Sequence, residues 1–65
     1  MSYCEYFKAA IRNFYNTKKL TQKVKSEAKL LIKQFEISEA YDEFENEDEY
    51  KNLKIEINKI RELIF

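Results

Sequence analysis

Eight carboxylates and no basic residue lie between positions 36 and 49: Glu36, Glu39, Asp42, Glu43, Glu45, Glu47, Asp48 and Glu49. Carboxylates this dense suit three kinds of chemistry: holding a hard cation, acting as a general acid and base, or gripping the cations of a partner. The run DEFENEDE at 42–49 lacks the turn glycine of a calcium loop and its spacing to a bidentate glutamate, so no metal is expected. General acid–base work needs a water-excluding pocket that moves a carboxylate pKa, and a chain of 65 residues has little room for one. Cys4 is the only cysteine and there is no histidine to activate it, so it reads as a small core residue near a helix start. No enzymatic activity and no cofactor are expected.

What remains is recognition. Lysine and arginine side chains that hold phosphates accept carboxylates through the same charge-assisted hydrogen bonds, so an acidic surface can occupy a basic nucleic-acid-binding groove. Tyr41 and Phe44 lie within the acidic stretch as possible anchors. The candidate partner-binding residues are therefore Glu39, Tyr41, Asp42, Glu43, Phe44, Glu45, Glu47, Asp48 and Glu49. Part of this acidity has an ordinary use, because Glu47, Asp48 and Glu49 follow Asn46 and suit the positive end of a helix dipole. A solvated crossover between helices is the plain alternative for the rest.

A second charged group competes with the first. Lys18, Lys19, Lys23, Lys25, Lys29 and Lys33 share one side of a helical wheel, and a face built on Lys18, Lys25, Lys29 and Lys33 could track phosphates. It carries no arginine for bidentate contacts and no aromatic residue for base stacking, which favours a merely solvated face. The net charge is zero, yet residues 1–35 hold eight basic and two acidic groups, and residues 50–65 hold four and two. Such segregation points to a charged partner even where the whole chain is neutral.

The elements that must position these groups are helices. Neither Gly nor Pro occurs, which removes the usual glycine hairpins, glycine caps and phosphate loops. Ser2 and Glu5 form a capping-box pattern ahead of Tyr3, Phe7, Ala10 and Phe14, with Ile11 beside them, which predicts a helix over 3–15. Thr17 or Thr21 can cap a second helix over 18–36, whose apolar positions are Leu20, Val24, Ala28, Leu31, Ile32 and Phe35. Ser38 can cap a short helical stretch over 39–45. Asn46, with Glu49 three residues on, opens a third helix over 47–64 along Tyr50, Leu53, Ile57, Ile60 and Ile64. Leu53, Ile55 and Ile57 also alternate as a strand would, but the helical stripe runs longer. The expectation is one all-α domain over 1–65, a small three-helix bundle with a short acidic helical crossover.

A chain this short buries only about 60% of the surface its unfolded form exposes, so help from self-association is expected. Ile55, opposite the third stripe, and terminal Phe65 are the candidates for holding a homodimer. A lone cysteine fits a reducing compartment, and no apolar run approaches a membrane span, so a cytoplasmic protein without membrane contact is expected. Lys, Asn, Ile, Tyr and Phe make up 32 of the 65 residues, all with AT-rich codons. In composition and size the chain is similar to small early proteins of bacteriophages and other mobile elements, anti-CRISPR proteins among them. That resemblance implies stoichiometric binding to a host enzyme or defence complex. The sequence thus points to a non-enzymatic inhibitor or adaptor that docks its acidic surface on a basic protein. A small nucleic-acid-associated protein and a homo-oligomeric subunit are the alternatives.

Overall fold

In a computed structural model, which describes residues 3–65, three helices pack around one core: α1 (Tyr3–Asn16), α2 (Gln22–Ala40) and α3 (Glu47–Ile64). Among the described residues there is no strand, so the protein is an all-α three-helix bundle. Ser2 of the expected capping box lies outside the described residues. On α1 the buried stripe is Cys4, Phe7 and Ile11, with Ala10 and Phe14 packed at its edge. Tyr3, placed on that stripe by spacing alone, is half-exposed, and Cys4 takes the core position beside it.

The second helix differs from its expected span at both ends. Thr21 is its N-cap, with the hydroxyl accepting from the Val24 amide at 3.3 Å. Thr17 instead closes α1: its hydroxyl donates to the Asn13 carbonyl at 3.0 Å and its amide to the Phe14 carbonyl at 3.1 Å. Residues 17–21 are therefore a link, and Leu20, read as a core position, is exposed there. At the other end the helix continues past Glu36 to Ala40, so Ser38 is not a cap but a buried residue facing the core. The expected helical stretch over 39–45 divides: Glu39 and Ala40 finish α2, and residues 41–46 form a non-helical turn.

That turn is a Schellman motif without glycine. The Glu43 amide donates to the Ser38 carbonyl and the Asp42 amide to the Glu39 carbonyl, both at 3.1 Å. Asp42 sits at the left-handed position with φ 52°, where Asp is among the few non-glycine residues tolerated. Asn46 then caps α3, accepting from the Glu49 amide at 3.0 Å, and three carboxylates occupy the first turn. Leu53, Ile57, Ile60 and Ile64 are buried and Ile55 is exposed, as a helix requires and a strand would not.

The core is aromatic at one end and aliphatic at the other. Phe7 and Phe35 meet edge to face with centroids 5.3 Å apart, and Ile57 and Ile60 fill the centre. Up-down-up topology brings the start of α1, the end of α2 and the start of α3 to one end of the molecule. The acidic turn and its flanks collect there; the lysines of 18–25 lie at the other end. The neutral chain folds into a dipolar body.

Candidate functional site

The acidic end is rigidly mounted. Phe44, in the middle of the turn, inserts its ring among Phe35 at 5.2 Å, Tyr50 at 5.1 Å and Phe7 at 5.9 Å. It is thus a peg that pins the turn to the core, and of the two expected aromatic anchors only Tyr41, 75% exposed, stands out from the surface.

Half of the eight carboxylates brace the bundle. Glu36 accepts from Arg61 at 2.7 Å, Glu39 accepts from the Tyr50 hydroxyl and pairs with Lys54 at 3.3 Å, and Glu43 accepts from the Tyr3 hydroxyl at 3.4 Å. Glu47 pairs with Lys51 at 3.7 Å and Glu49 with Lys8 at 3.0 Å. Apart from the Glu47–Lys51 pair, which lies within α3, these links tie α1 and α2 to the turn and to α3. Asp42, Glu45 and Asp48 are left exposed, with no cation in salt-bridge range among the described residues. Two shallow concavities flank the turn, one bordered by Glu39, Phe44, Glu47 and Tyr50, the other by Tyr3, Cys4, Glu43 and Glu49. Asp42 and Glu45 border both, so they stand on the ridge between two carboxylate-lined hollows.

The titration behaviour of this end is structural in character. Hydrogen bonds from Lys8, then from Cys4, hold the Glu49 carboxyl below its usual range. Burial, followed by the hydrogen bond to Glu49, pushes the Cys4 thiol up and away from a reactive thiolate. The bond to Glu39, then burial, raises the Tyr50 hydroxyl; Tyr50 and Glu39 in turn raise Lys54. Each shift stabilises the protonation state already present at neutral pH. Among the described residues no group of three or more Cys, Asp or Glu side chains is placed to hold a metal ion.

Of the alternative lysine face, Lys25, Lys29 and Lys33 lie on α2 and Lys18 does not. Lys18 lies in the 17–21 link and Lys25 is half-buried, while the Lys29 ammonium sits over the Phe65 ring at 5.2 Å. Lys33 stands exposed on α2. Phe65 is 75% exposed apart from that contact, and Ile55 is exposed on an α3 face shared with Asp48, Lys51, Lys59 and Glu62. The feature that sequence reasoning missed is a cleft between α1 and α2 lined by Tyr3, Tyr6, Gln34 and Ile37, with Glu43 at its rim. The Tyr6 hydroxyl donates to Gln34 Oε1 across it at 2.9 Å. Of the exposed apolar positions of α2 opposite its buried stripe, Ile37 alone lines this cleft and was the available signal.

Comparison with protein-family models, curated proteins and solved structures finds no match to this chain. Among the described residues no helix is long and apolar enough to cross a membrane.

Proposed function

We propose that the protein is a non-enzymatic binding protein whose acidic turn docks on a basic, nucleic-acid-binding surface of another protein and keeps nucleic acid from it. The observation that carries this reading is the set Asp42, Glu45 and Asp48, three exposed carboxylates with no cation in salt-bridge range among the described residues, two on the turn that Phe44 pins to the core and one in the first turn of α3. Mobile side chains on a rigid mount lose little backbone freedom on binding. Unpaired carboxylates offer a basic groove charge-assisted bonds without first breaking internal salt bridges. Tyr41, exposed beside them, supplies the apolar contact that charge alone lacks. The compositional likeness to small phage and mobile-element proteins adds a setting in which a stoichiometric inhibitor, such as an anti-CRISPR protein, acts.

One observation favours a second reading, direct nucleic-acid binding: among the described residues, none of Lys18, Lys19, Lys23, Lys25 and Lys33 has a carboxylate in salt-bridge range. Capture from a host lysate separates the two. The acidic-end reading predicts that Asp42, Glu45 and Asp48 changed together to Lys lose a retained protein that the wild-type chain holds. Reversal of Lys18, Lys25 and Lys33 should leave it bound. Loss of binding in the lysine variant alone, together with a direct mobility shift of labelled DNA or RNA by the wild type, would establish the lysine reading instead.

A further inference from the structure

The outer face of α2 reads, from its start to its end, as base, apolar stripe, acid. Lys23 stands at its first turn, Leu30 and Ile37 follow at 57% and 50% exposure, and Tyr41 leads into Asp42 and the acidic turn. On a helical wheel these positions share one narrow face opposite the buried Ala28, Leu31, Ile32 and Phe35. A helix lined this way is complementary to a second copy of itself run in the opposite direction.

We propose that two copies of this chain associate through antiparallel α2 helices related by a two-fold axis between Lys33 and Gln34. In that register Leu30 of each copy meets Ile37 of the other, as an isologous contact requires. Lys23, with Lys19 before it, reaches the partner copy's Asp42–Glu45 turn, so the two dipolar bodies lie with unlike ends together. The reverse, parallel arrangement would set like charges side by side and is disfavoured by the same charges. Tyr6 and Tyr3, half-exposed on the adjoining edge of α1, widen the apolar strip.

Ile55 and Phe65 are not part of this contact. Ile55 is ringed by charged side chains on α3, and Phe65 is engaged by Lys29 at the opposite flank of α2. Tyr41 and Asp42 belong both to the self-contact and to the docking surface proposed above, so a chain within the dimer cannot dock its turn. The lysine end of a second copy offers the acidic turn the chemistry of the basic partner. The dimer stands on the α2 pattern whether or not such a partner exists.

Sedimentation velocity of the purified full chain, from low to high micromolar, tests this without any partner. The expected result is a concentration-dependent shift from monomer to dimer. Ile37→Glu should hold the chain monomeric across the range with its helical circular dichroism unchanged, and Ile55→Glu should leave the dimer intact. Changing Lys19 and Lys23 to Glu should weaken association about tenfold or more, as should changing Asp42 and Glu45 to Lys; mixing these two variants should restore a heterodimer with both sets of charge pairs re-formed, one native and one reversed. A wild-type chain that stays monomeric overturns the proposal, as does a dimer indifferent to Ile37→Glu. Failure of the mixed charge variants to associate more tightly than either alone overturns the antiparallel arrangement and with it the proposal. If a partner capture succeeds while sedimentation shows only monomer, the docking reading survives and this inference does not.

Discussion

Truncating the peg under the acidic turn separates what holds the site from what the site presents. Phe44 touches three rings, those of Phe7, Phe35 and Tyr50, but remains partly accessible. A fully buried Phe→Ala change costs about 3–5 kcal/mol, so the half-buried Phe44→Ala should cost about 2 kcal/mol. At about 0.05–0.15 kcal/mol per residue, a 65-residue domain has only about 3–10 kcal/mol to lose. Urea unfolding followed by helical circular dichroism reads this directly. With a slope of about 1 kcal/mol per molar, the midpoint should fall by about 2 M at unchanged slope. Tyr41→Ala, one residue past α2 and 75% exposed, should move the midpoint by less than about 0.5 M, as surface substitutions do. The reasoning is refuted if Phe44→Ala leaves the midpoint within that same margin, or if Tyr41→Ala shifts it as far.

Other consequences are more local. Thr21→Ala and Asn46→Ala each remove a hydroxyl or amide oxygen that accepts from a first-turn N–H, and each should lower stability by about 1 kcal/mol in the same urea assay. The Glu49 carboxyl is held below its ordinary value of 4.5, so its contribution is present above that value and lost as pH falls through the folded one; Glu49→Gln should flatten the acid limb of a stability–pH profile. Tyr50 is shifted the other way, up from 10.0, so its contribution is present below pH 10 and lost as pH rises through the folded value; Tyr50→Phe should flatten the alkaline limb. Cys4, buried and with its thiol pushed up, should be alkylated at neutral pH far more slowly in the native protein than in urea, with mass spectrometry as the readout.

The three helices and most of the core were legible because amphipathic spacing and polar caps are local properties. Asn46 and the Tyr50–Ile64 stripe placed α3 within a residue. At the start of α2, Lys18, Lys19 and Leu20 fit a helical pattern as well as a link, and only the geometry of Thr21 decides between them. Its end was hidden because nothing in Glu36, Ile37 or Ser38 breaks a helix. The stop comes from Asp42 adopting the left-handed conformation, which sequence rules assign to glycine first. The density of carboxylates at the candidate site was plain in the sequence. Their division into bracing and unpaired groups was not, because Lys8, Lys54, Arg61 and Tyr3 approach from other helices through tertiary packing. Phe44 shows the same limit: its pattern could not tell an outward anchor from an inward peg.

The central claim, that the acidic end displaces nucleic acid from a basic protein surface, is tested most directly by competition. A labelled duplex is bound to the protein captured by the wild-type chain, and its fluorescence anisotropy is followed as the purified chain is titrated in. The account predicts that anisotropy falls to that of the free duplex with the wild type, and stays unchanged with Asp42, Glu45 and Asp48 replaced by Lys. Anisotropy that rises when the wild-type chain meets the duplex alone, or displacement that survives the triple reversal, would contradict it.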